Sequence, residues 1–103
     1  MKEIYEKEKS IDKETYQKAM AKNLKMLRAK CSMTQEELSS LVGVSRQTIV
    51  QAENSGKLSW TAYLAMLQLF SRNEETLKIM QIMDIYPECY FATLTEIPAW
   101  KDK

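Results

Sequence analysis

Arg46, Gln47, Val50 and Gln51 fall within six consecutive residues, and their side chains form one coherent chemical set. A guanidinium presents parallel N–H donors to a pair of acceptors, and a primary amide presents a donor beside an acceptor. Those patterns match the exposed edges of guanine and adenine in the major groove of duplex DNA, each good pair giving ~1–3 kcal/mol of discrimination. The isopropyl group of Val50 is a natural contact for a thymine methyl. Such readout requires that the four side chains leave one face of a rigid element standing clear of its own domain.

The segment from Gln35 to Glu53, QEELSSLVGVSRQTIVQAE, meets that requirement as two short amphipathic helices joined at Gly43. Thr34 and Glu37 have the spacing of a capping box, and Leu38, Leu41 and Val42 supply the apolar face of the first helix. Gly43 stands where a left-handed cap is wanted. Ser45 is suited to cap the second helix, which is expected from Arg46 to about Glu53 with Ile49 and Ala52 facing inward. Gln35, in the first turn of the first helix, would donate to a phosphate beside the free backbone N–H groups there, where the helix dipole favours an anion. Thr48, Asn54 and Lys57 are further candidates for phosphate contacts, which position a domain without reading sequence.

Around this unit the sequence divides into a charged extension (1–13), a domain (14–86) and a tail (87–103). From Glu14 the stripe Tyr16, Met20, Leu24, Leu27 and Cys31 recurs at three and four, predicting a helix that ends near Ser32. NSGK (54–57) reads as a turn. Ser59 then caps a helix with Tyr63, Leu64, Leu67 and Phe70 inward and Trp60 at one edge. A last helix starts at Ser71 or Asn73, buries Leu77, Met80 and Met83, exposes Ile79 and Ile82, and ends at Pro87. Residues 88–103 fit either a short helix to about Leu94 or an extended arm. Their Tyr90, Phe91, Leu94, Ile97 and Trp100 form an apolar surface that either folds back or meets a partner.

Composition supports an all-α fold. Two glycines and two prolines in 103 residues leave few turn formers and strand breakers, and the length suits one domain with one modest core. No apolar run approaches the ~18 residues of a membrane span. The charged start MKEIYEKEK does not read as a signal peptide, so a soluble, cytoplasmic protein with no membrane partner is expected.

Cys31 and Cys89 are lone thiols without metal-ligand spacing, and they read as small apolar residues. The absence of histidine removes the commonest general base and zinc ligand. Glu36/Glu37 and Glu74/Glu75 read as first-turn residues favoured by helix dipoles. No catalytic residue, metal or cofactor is expected. Residues 1–31 carry nine Lys/Arg against five Asp/Glu, and residues 32–103 six against nine. The basic half matters because nonspecific DNA affinity comes from phosphate neutralisation.

Residues 23–70 contain NLKMLRAK, MTQEELSSLVGVSRQTIVQAEN and GK in register, and they resemble the phage-repressor and Cro-type helix-turn-helix family of xenobiotic-response-element-like regulators. The resemblance implies a compact five-helix, lambda-repressor-like domain that is usually dimeric and binds operator DNA with helix 45–53 in the major groove. It also implies an ion pair between Arg28 and Glu53 that ties the recognition helix to the first helix. Three positions depart from the family pattern. Ser39 replaces the usual alanine at the helix crossing, Ala52 replaces a larger apolar residue, and Gly56 falls one residue late, with Asn54 able to take a left-handed turn.

The resulting expectation is a sequence-specific double-stranded DNA-binding regulator, a repressor, acting as a homodimer on half-sites ~34 Å apart. The alternative is an antitoxin-like or other protein-interaction module that uses the C-terminal apolar surface. Both roles can coexist in one molecule.

Overall fold

The computed structural model describes residues 12–88, in which the chain forms five helices and no strand. They are α1 (Lys13–Lys30), α2 (Gln35–Val42), α3 (Arg46–Ser55), α4 (Trp60–Phe70) and α5 (Glu74–Ile82). The expectations for residues 1–11, for Cys89, and for Tyr90, Phe91, Leu94, Ile97 and Trp100 lie outside the described residues.

Every helix begins on a side-chain cap. Asp12, Thr34, Ser45, Ser59 and Asn73 each accept a hydrogen bond from a backbone N–H in the following turn, satisfying donors that a helix start leaves free. At α2 the capping box is complete, because the Glu37 carboxylate also accepts from the Thr34 N–H at 2.8 Å. Hydrogen bonds to Thr15 hold the Asp12 carboxyl below its ordinary pKa.

α1 is the spine, packing against α3, α4 and α5, while α2 packs on α3 and α4. Their shared core is built on Met20, Leu24 and Leu27 of α1, Leu38 of α2, Ile49 and Ala52 of α3, Tyr63 and Phe70 of α4, and Met80 of α5. Full burial of one such Leu or Ile side chain contributes ~1.5–3 kcal/mol. The burial is what holds the short α2 and α3, since helices of eight and ten residues are marginal alone.

Polar groups inside this core are satisfied. The Tyr63 hydroxyl donates to the Ile85 carbonyl at 2.6 Å, the Thr76 hydroxyl to the Phe70 carbonyl at 2.6 Å, and the Ser39 hydroxyl to the Glu36 carbonyl at 2.7 Å. Ser39 is therefore accommodated at the crossing by bonding back to its own helix. Burial, reinforced by Tyr16 and Tyr86, pushes the Tyr63 pKa well up. Its phenol stays a donor over the whole working pH range.

Several sequence expectations are corrected. Leu41 is 61 % exposed, because the helix axis turns it past the α2–α3 contact that buries Leu38. Met83 is 44 % exposed, because α5 stops at Ile82, a turn sooner than the stripe predicts, and Ile79 packs against the core rather than facing solvent. Pro87 does not end α5. Asp84 adopts a left-handed conformation (φ 56°) that folds the chain back and buries Ile85 and Pro87. Asn54 and Ser55 are not in the turn either. They complete the last turn of α3, and Gly56 (φ 75°) takes the left-handed cap.

Candidate nucleic-acid interface

α2 and α3 are joined by the three residues Gly43 to Ser45. Gly43 has φ 75°, and its N–H and that of Val44 both bond the Ser39 carbonyl, at 3.0 and 3.1 Å. The chain thus reverses on a left-handed cap that closes the last turn of α2 on the Ser39 carbonyl. Ser45 then caps α3 through a bond from the Thr48 N–H.

Ile49 and Ala52 are fully buried, so the opposite side of α3 faces solvent. Arg46, Gln47 and Gln51 are exposed and Val50 is half-buried beside them. These four residues share one outward surface. Thr48 is half-buried, and its hydroxyl lies 3.0 Å from that of its cap, Ser45. Asn54 is exposed in the last turn of α3, and Lys57 is exposed just beyond Gly56.

A polar network fastens α3 to the scaffold. Arg28 of α1 grips Glu53 through both ends of its fork, Nε to Oε2 at 2.7 Å and Nη2 to Oε1 at 3.2 Å, with side chains only 14 % and 7 % exposed. The remaining Arg28 nitrogen donates to the Met33 carbonyl at 3.0 Å. Burial alone would raise the Glu53 pKa. The Arg28 and Gln35 hydrogen bonds and the Arg28 charge overcome it, and the carboxyl lies below its ordinary value.

Gln35 belongs to this network, a role that its position in the first turn of α2 did not reveal. Its amide nitrogen donates to Glu53 Oε1 at 3.0 Å, and its amide oxygen accepts from Arg46 at 3.4 Å. Arg46, Gln35 and Arg28 thereby line one open cleft at the start of α2. A second open groove runs between α1 and α3, where Gln17 and Lys18 stand beside Thr48, Gln51 and Lys57. Gln17 also donates to the Leu58 carbonyl at 2.9 Å, pinning the turn after α3. The signal for these α1 residues was available in the sequence as polar positions flanking the apolar stripe.

Helix-turn-helix sequences match residues 24–59, a span that runs from the middle of α1 to the cap of α4. The matched segment, about a third of the chain, is similar to the phage-repressor and Cro-type helix-turn-helix family, a DNA-binding family. No curated protein and no solved structure matches the chain. Among the described residues no helix is long and apolar enough to cross a membrane.

Proposed function

We propose that this protein is a sequence-specific double-stranded DNA-binding transcriptional regulator, a repressor without catalysis of its own, that inserts α3 into the major groove. One observation carries the reading. α3 is anchored from behind by fully buried Ile49 and Ala52 and by the two-pronged Arg28–Glu53 pair, while Arg46, Gln47 and Gln51 stand exposed on its other side. A rigid helix with amides and a guanidinium on its free face is what direct readout of base edges requires.

In this reading Arg46, Gln47, Val50 and Gln51 contact bases, and Gln35, Thr48, Asn54 and Lys57 contact phosphates. Arg28 and Glu53 keep α3 at a fixed angle. The protein works in the cytoplasm as a homodimer, since one helix reads too few base pairs for useful specificity and two copies ~34 Å apart read a palindrome. The exposed Ile82 at the end of α5 and Met83 just after it are available to such a partner. Neutralising another protein through the C-terminal segment remains compatible with this, and it predicts a heteromeric complex in pull-downs.

Selection of bound sites from a random duplex library tests the proposal. The expected product is a pair of inverted half-sites whose centres lie one helical turn apart, with preference weakened by Arg46→Ala or Gln47→Ala. Recovery of no common sequence, with no duplex binding at low salt, overturns it.

A further inference from the structure

Among the exposed lysines of α1, Lys18, Lys22 and Lys25 stand at spacings of four and three, so they form one stripe along the helix. Two contacts of the same helix fix where that stripe lies. Gln17 bonds the Leu58 carbonyl and Arg28 grips Glu53, so the neighbouring face of α1 is packed against α3 and the turn that follows it. Lys18 accordingly lines an open groove of about 520 Å³ with Thr48, Gln51 and Lys57. At the other end of the stripe, the charge of Lys25 reaches Glu53 and helps to keep that carboxyl ionised. The acid in the groove is Glu14, paired with Lys18 at 2.8 Å, and both side chains are at least two-thirds exposed.

We propose that this stripe is a second phosphate-binding track, in which Lys18 and Lys57 hold one DNA phosphate beside Gln51 and Lys25 holds another farther along the same strand. The proposal rests on the DNA-binding reading above and extends its footprint from α2 and α3 onto α1. Seven helical residues separate Lys18 from Lys25, an axial distance of ~10 Å. That separation lets the two ammonium groups, each on a flexible stem, reach different phosphates. The ammonium groups act as mobile point charges on long stems, which suits a repeating phosphate and carries no base information. Glu14 opposes the phosphate for Lys18, and its surface ion pair is weak enough to exchange. It therefore limits affinity and keeps binding reversible.

The test is the salt dependence of binding to a fluorescent duplex of unselected sequence, followed by anisotropy between ~50 and ~200 mM salt. The variants are Lys18→Gln/Lys25→Gln, Glu14→Gln, and Lys78→Gln on α5 as a control that removes one positive charge away from the stripe. Each lost phosphate contact lowers the slope of log K against log salt by ~0.9, so the double variant is expected to lose ~0.9 through Lys25 and up to ~0.9 more through Lys18, which shares its phosphate with Lys57. Glu14→Gln is expected to bind more tightly than wild type, and Lys78→Gln to keep the wild-type slope. A wild-type slope in the double variant, or the same loss per removed charge in Lys78→Gln, overturns the lysine track while leaving DNA binding by α3 intact. If wild-type protein itself fails to bind the duplex at low salt, the DNA-binding reading falls and the track falls with it.

Discussion

Replacing Glu53 by alanine removes the acceptor of three hydrogen bonds at once: Arg28 Nε at 2.7 Å, Arg28 Nη2 at 3.2 Å and the Gln35 amide at 3.0 Å. Exposed ion pairs contribute ~0.2–1 kcal/mol, whereas breaking a buried one costs ~3–5 kcal/mol because a charge is stranded. With side chains 14 % and 7 % exposed, the Arg28–Glu53 pair lies near the buried end, and a loss of ~3 kcal/mol is expected. For a domain of this size that lowers the thermal midpoint by roughly 12–24 °C.

Urea unfolding of Glu53→Met, Arg28→Met and the double variant checks the cause. The double variant should be more stable than either single one, since it leaves no unpaired charge. The pH dependence follows from the lowered Glu53 pKa. Its contribution is full above the ordinary glutamate value of ~4.3 and is lost as pH falls through the lower, folded value; Glu53→Gln should not show that step. A cost below ~1 kcal/mol for Glu53→Ala would refute the argument that this pair anchors α3.

Four further outcomes are expected. Ile49→Ala should cost ~2–5 kcal/mol in urea unfolding, because the side chain is fully buried, whereas Leu41→Ala, at 61 % exposure, should stay within ~0.5 kcal/mol. Tyr63→Phe leaves the buried Ile85 carbonyl without its donor and should cost ~1–3 kcal/mol, with duplex affinity unchanged under conditions where the protein is folded. Gly43→Ala should cost ~1–2 kcal/mol by calorimetry although an added Cβ meets nothing within 4 Å, because the penalty lies in the left-handed backbone. Gln51→Ala should erase ~1–3 kcal/mol of preference at one base position in competition binding while leaving the salt slope as it is.

The helices were legible because their signals are local. A cap such as Thr34 or Ser59, a left-handed glycine such as Gly43 and a stripe such as Met20–Leu24–Leu27 each act within a few residues, so spacing along the chain carries the information. Where two local signals compete, packing decides between them. Asn54 and Gly56 could each have taken the turn after α3; glycine did, since it adopts positive φ without a Cβ penalty. Pro87 looked like the end of α5, yet the non-glycine Asp84 makes the turn, held by bonds from Ile85 and Tyr86 back to the Met80 carbonyl.

By itself the sequence determined an all-α chain, the helix-turn-helix between Thr34 and Glu53, and which face of α3 turns outward, because helical periodicity alone separates Ile49 and Ala52 from Gln47 and Gln51. Only the tertiary structure decided that Gln35 joins Glu53 to Arg46, that Leu41 is left in solvent, and that Lys18 of α1 shares a groove with Gln51 and Lys57. These are relations between residues eleven to thirty-nine positions apart, set by how helices cross. Crossing depends on the fit of many side chains at once, and no short stretch of sequence encodes it.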